Sequence, residues 1–269
     1  MSGLPGSGPT LETVKLHKTD KTGETKMTNY AVDSTRRNAA KIAGVMFLLI
    51  VIGWTLNWIF VESKFHGAGN IMATANNIMA HELLFRIGMA NELIFSISGM
   101  VLALALYTML KPVNRNLALL ALCWKLMDAV VGTVNVLAAF IVLQILNGKA
   151  FLTSFKPEQL QEIAGLFFKL RSNGAAIAML FLGLGFIVFF YLLFKSGYVP
   201  GILAGFGIFS YFLIFVNSAA DILVPRNAAV LTMVSPVSMI FMTPSILFEL
   251  TIGFWFIFKG INIQPQDNS

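Results

Sequence analysis

Two carboxylates and one ammonium stand inside stretches otherwise fit for lipid: Asp128, Glu249 and Lys125. Lys125 and Asp128 are three residues apart, so a helix carries both on one face. At about 1.5 Å of rise per residue, Glu249 lies roughly 15 Å from Lys259, and Lys125 and Asp128 lie roughly 12 and 16 Å from Leu117. The three groups therefore share one depth on two helices. If the lysine serves both acids, the ionised cluster carries a net charge of −1, and one carboxyl becomes a candidate for holding a proton. Two roles fit: an interhelical ion pair that fixes packing, or a site that binds a proton or anchors a small polar ligand. Unpaired charges are expensive inside a bilayer, so those that occur there mark function by default.

A second polar layer consists of Asn57, Asn91, Glu92, Asn135, Asn217 and Thr243. Each is roughly 24–30 Å from the end of its span on the more basic side. Such side chains suit hydrogen bonds to a polar ligand in an outward-facing cavity. They equally suit helix–helix hydrogen bonds at the headgroup boundary, worth about 0.6–2 kcal/mol each. Glu82 and Arg86 have the i,i+4 spacing of a local ion pair. His81-Glu82 begins like a metalloprotease motif but lacks the second histidine. His17, His66 and His81 fall outside the apolar runs, and Cys123 is the single cysteine. With no phosphate-binding loop or nucleophile elbow either, no metal, haem or other cofactor is expected.

The elements that must position these groups are helices in a membrane. The 269 residues are 57% hydrophobic and 12% charged, with a mean hydropathy of +0.76, which excludes an ordinary soluble domain. Apolar runs cover about 42–61, 84–110, 117–144, 174–194, 201–222 and 237–258, each near the ~20 residues that cross a bilayer as a helix. The fold class expected is all-α: a polytopic transmembrane bundle of six spans. Residues 1–35 read as a disordered polar and basic tail, 36–262 as the transmembrane domain, and 263–269 as a short polar tail. Asp33-Ser34-Thr35 would cap the helix entering the first span, which acts as a signal anchor. An amphipathic surface helix from Pro157 to Phe168 should run into the fourth span. Pro244 should bend the last span and free a carbonyl. Gly183-x-Gly185, and Gly201-x-x-x-Gly205 with Gly207, allow close helix approach.

Charge placement orients the chain. The tail and the connections at Lys111/Arg115, Lys195 and Lys259 hold 11 of the 19 basic residues, against six on the other side. The positive-inside rule then puts both termini in the cytoplasm. The formal charge of +6 belongs to this bias, and nucleic acid is not an expected partner; the bilayer is. Spans two, four and six end in Tyr107-x-x-x-Lys111, Tyr191-x-x-x-Lys195 and Trp255-x-x-x-Lys259, fitting either an interfacial aromatic belt or a helix-pair duplication.

Glu82-Leu83-Leu84-Phe85-Arg86-Ile87-Gly88, Lys111-Pro112-Val113-Asn114-Arg115, Phe194-Lys195-Ser196-Gly197-Tyr198-Val199-Pro200, and Phe248-Glu249-Leu250 followed by Trp255 carry a resemblance. On these, residues 36–262 resemble the bacterial and archaeal membrane proteins grouped as domain of unknown function 4386. Where that pattern would have Arg-x-x-Glu in the third span, this chain has Lys125-x-x-Asp128. The resemblance implies a multi-span helical membrane protein and no established activity; the location expected is the bacterial cytoplasmic membrane. Three readings follow. The first is a small transporter or ligand-binding module with Lys125, Asp128 and Glu249 as its core, aided by Glu92, Asn135 and Asn217. The second is a structural or sensory subunit whose polar residues pack helices. The third is an intramembrane enzyme, ranked last because no metal-spaced or nucleophilic set lies on the spans.

Overall fold

The structure, a computed structural model, describes residues 11–65, 71–147, 156–223 and 236–263. These form α1 (Leu11–Phe60), a 3-10 turn at Glu62–Lys64, α2 (Ile71–Ala80), α3 (Glu82–Leu110), α4 (Arg115–Leu146), α5 (Pro157–Ser196), α6 (Gly201–Leu223) and α7 (Pro236–Phe258). All but the short α2 are long and apolar enough to cross a membrane, so the chain is an all-α, multi-pass membrane protein. Lys149, Pro225 and Arg226, the 1–10 end of the first tail and the 264–269 end of the second lie outside the described residues.

Turn chemistry ends the helices. The Asn114 side chain accepts from the backbone N–H of Leu117 at 3.0 Å and caps α4. Gly197, at φ 67°, closes α5 in the left-handed region, and Pro200 then leads into α6. α1 departs from expectation. It begins at Leu11, inside the segment read as a disordered tail, and passes without a break through Asp33-Ser34-Thr35. Residues 11–35 hold no proline and one glycine, so nothing forces a stop. Asp33, instead of capping, reaches Arg36 one turn on at 3.5 Å. The surface helix and fourth span do merge, giving one 40-residue helix in α5. α7 runs on through Pro244, which lacks the N–H that would bond the Ile240 carbonyl.

The packing is inverted relative to a soluble protein. Outward faces carry large branched side chains, such as Ile42, Val45, Leu49, Ile52, Leu56 and Ile59 on α1. In water such a stripe would drive aggregation; against lipid tails it costs nothing. Inward faces are rich in alanine and glycine, which let backbones approach. Each span packs on its sequence neighbour, and α7 returns to α1, so the six spans close into a ring: α1, α3, α4, α5, α6, α7. Closure rests on Gly44 and Gly253. A Cβ on Gly44 would meet the Gly253 carbonyl oxygen at 2.8 Å, so the two backbones touch.

Two apolar cores fill the ring at different depths. The larger spans all six helices and centres on an aromatic cluster: Phe186 stacks on Phe190 at 5.3 Å, Phe190 meets Phe248 edge-on at 4.6 Å, and Tyr211 leans on Phe186 at 4.5 Å. The smaller gathers Val61, Phe65, Ile78, Phe85, Val136 and Leu143 at the other end, where α2 covers the bundle. The backbone N–H of Asn262 donates to the Tyr198 carbonyl at 3.0 Å, pinning the chain after α7 to the α5–α6 turn.

Candidate binding cavity

Between the two cores lies a cavity of about 200 Å³. Every span contributes to its wall: Phe47 and Trp54 from α1, Phe95 and Ser96 from α3, Lys125 and Asp128 from α4, Phe186 from α5, Ile214 from α6, and Ser245 and Glu249 from α7. The ring explains how. Six helices around a common axis each offer one face inward, and where glycine and alanine dominate those faces (Gly99, Ala129, Gly132) space is left.

Three of the sequence-predicted residues meet here. Lys125 is 4% exposed, and its ammonium donates to the Asp128 carboxylate at 2.5 Å. The same ammonium sits 4.7 Å above the centre of the Phe186 ring. Gly185 makes room for the lysine stem, since a Cβ there would lie 3.0 Å from its Cγ. Glu249 does not share that lysine. Its carboxylate instead accepts from the hydroxyl of fully buried Tyr211, across the α6–α7 packing. Of the two acids, it is Asp128 that the lysine holds within hydrogen-bond reach. Asp128, one turn along the same helix, occupies the ammonium without any tertiary adjustment, whereas Glu249 comes from a helix on another side of the ring.

The outer polar layer divides. Asn91 donates to Asn57 at 2.9 Å, joining α1 to α3. Asn135 is buried and fills the space beside Gly174, where no methyl group would fit. Asn217 is buried on α6 beside Ser218 and Asp221, away from the cavity wall. Thr243 is on the exposed face of α7. Glu92 enters a cluster of its own: the Arg171 guanidinium donates to Glu92 and, at 3.1 Å, to Glu62. This triad ties the 3-10 turn after α1 to α3 and α5. Glu92 is one turn outward of Ser96, and Arg171 and Glu62 are two turns outward of Met179 and Trp54, all three of them cavity residues. Glu82 and Arg86 form the expected local pair at 2.6 Å.

Sequence reasoning missed Arg171, Glu62 and Tyr211. Signals existed. Glu92 has no cation three or four residues away on its helix, which demands a distant partner. Tyr211 is roughly 15 Å from Gly201, at the depth of Glu249.

The profile of one protein family, described as Domain of unknown function (DUF4386), matches residues 42–260. The chain belongs to that family. The match takes in every residue lining the cavity, from Phe47 to Glu249, and the whole Arg171 triad. No curated protein and no solved structure matches the chain. The DUF4386 description names no activity, so function must be argued from the cavity.

Proposed function

We propose that this DUF4386 protein is a small-molecule transporter of the bacterial cytoplasmic membrane that binds its ligand in the central cavity. The carrying observation is that all six spans line one cavity holding Lys125, Asp128 and Glu249. A packing subunit has no need of such a space, since helices of this composition close on each other wherever small residues allow. Two further features support transport over fixed binding. The Phe186, Phe190, Tyr211 and Phe248 rings fill the bundle on one side of the cavity, and the Arg171, Glu62 and Glu92 triad ties α3 and α5 to the turn after α1 on the other. Opening one while the other stays shut is alternating access around a midplane site. Pro244, one turn from Glu249 on α7, supplies a break in the backbone ladder at which that helix can bend. The lysine and arginine bias supports cytoplasmic termini, with the triad toward the outer face.

The test is access. In a Cys123→Ser background, Ser245→Cys puts a thiol in the cavity wall. A membrane-impermeant thiol reagent should label it from either face of sealed vesicles, because each side opens in turn. A thiol that stays unlabelled from both faces means that the cavity never opens, and the bundle is then structural.

A further inference from the structure

We propose that the ligand of this cavity is a small monovalent organic cation with an apolar, ring-sized body, its charge met by Glu249. The proposal rests on the cavity being a binding site, and it adds the substrate class.

Charge comes first. Lys125, Asp128 and Glu249 are the charged residues of the wall, so with both acids ionised it carries a net −1. Lys125 and Asp128 cancel within one contact. Glu249 is left with the Tyr211 hydroxyl, and among the described residues no lysine or arginine lies within ion-pair distance of it. One hydrogen bond orients a carboxylate without neutralising it. In a low-dielectric wall that charge is relieved by a proton or by a bound cation, and a cation with an apolar body gains the wall's rings as well. An anion would find the only ammonium taken and two carboxylates repelling it.

The walls select what kind of cation. A bare metal ion needs several oxygen ligands. Beside the carboxylates the wall offers hydroxyls only from Ser96 and Ser245, and Ser245 already donates to the Met242 carbonyl at 2.8 Å. Aromatic rings, by contrast, are plentiful: Phe47, Trp54, Phe95 and Phe186. Ring faces attract organic cations, and this cavity already holds one ammonium so, Lys125 over Phe186. The volume of about 200 Å³ sets the size. A cavity of ~150 Å³ takes a benzene ring, so this one has room for one ring and a small ammonium group.

A proton competes for the same carboxylate. Around Glu249, α1, α3 and α5 bring no titratable group to the wall, α4 brings Lys125 and Asp128, and Tyr211 of α6 bonds the carboxylate from behind the wall. Cation affinity should therefore fall as pH falls and Glu249 takes up a proton.

The experiment uses the full chain in lipid nanodiscs with three probes: phenyltrimethylammonium, its uncharged isostere tert-butylbenzene, and benzoate. Wild type should bind the cation roughly tenfold or more tighter than the isostere, and benzoate least. The preference should shrink at low pH and vanish in Glu249→Gln, which keeps the volume and a hydrogen-bond partner for Tyr211. The wild-type comparison of probes needs no variant, so it decides even if Glu249→Gln fails to fold. Equal binding of cation and isostere, lost in the cavity-filling Ala129→Phe, overturns the cation assignment and leaves the cavity as a binding site. Preference for benzoate also overturns it. Failure of every probe to bind wild type overturns the cation assignment, and with Ser245→Cys inaccessible it removes the transporter reading too.

Discussion

The two partly buried ion clusters carry the same formal charge and do opposite things with it. Each has one cation and two carboxylates. At the α2 end of the bundle a single guanidinium contacts both Glu62 and Glu92, so the charges are gathered and α3 and α5 are clamped to the turn after α1. In the cavity wall the lysine is bonded by Asp128 on its own helix, and Glu249 faces the cavity with the Tyr211 hydroxyl as its hydrogen-bond partner among the described residues. Side-chain chemistry explains part of the difference. A planar guanidinium offers five donors in a fork and can serve two acids at once, whereas an ammonium acts as a point charge. A net charge alone therefore does not tell a clamp from a site. What matters is whether the cation is shared or consumed locally.

The sharpest way to break this contrast is at the shared cation. Arg171→Met strands two partly buried carboxylates beside each other, and the loss should be roughly 3–5 kcal/mol, read as a large fall in melting temperature in detergent. Arg171→Lys should recover only part of it, because the point charge serves one acid at a time. Full recovery would show that charge alone holds the triad.

The midplane cluster yields smaller effects and a clear pairing. A double-mutant cycle of Lys125→Met with Asp128→Asn should give a coupling of about 0.5–3 kcal/mol. The cycle of Lys125→Met with Glu249→Gln should give a smaller coupling than the first, since those charges act on each other across the cavity without a direct contact. Strong coupling in the second cycle would mean that the lysine is shared after all, and the contrast would collapse.

Glu249→Gln on its own should cost about 1 kcal/mol or less, because the amide oxygen still accepts from Tyr211. Its effect should be on ligand and pH response, with the fold intact by circular dichroism and size exclusion. Smallest of all is Arg86→Gln. Its pair with Glu82 is exposed and local, so the melting temperature should not move measurably.

These contrasts also mark what was legible beforehand. The Lys125–Asp128 contact follows from i,i+3 spacing, and so does the Glu82–Arg86 pair from i,i+4, since helix geometry alone brings such residues together. The six spans follow from apolar length. Depth counting set Glu249 level with the α4 charges, and the structure brings all three to one cavity wall. The same counting grouped Thr243 with the outer asparagines, yet Thr243 faces outward, because depth along a helix says nothing about rotation around it. The α1 start was misread for a related reason: a capping-type residue permits a helix to begin but does not compel one to.

The sequence by itself determined the solvent of this protein, the number of its spans and the Lys125–Asp128 and Glu82–Arg86 contacts made within one helical turn. Backbone polar groups in lipid leave a run of apolar residues no choice but a helix, and the 3.6-residue turn does the rest. The tertiary structure alone decided the closed ring, the partner of Glu249 and the triad. Arg171 meets Glu62 and Glu92 across 109 and 79 residues of chain, and such meetings depend on which helices are neighbours and how each is rotated. That order is set by small-residue contacts such as Gly44 against Gly253, whose energy is spread over whole helix faces and leaves no local motif to read.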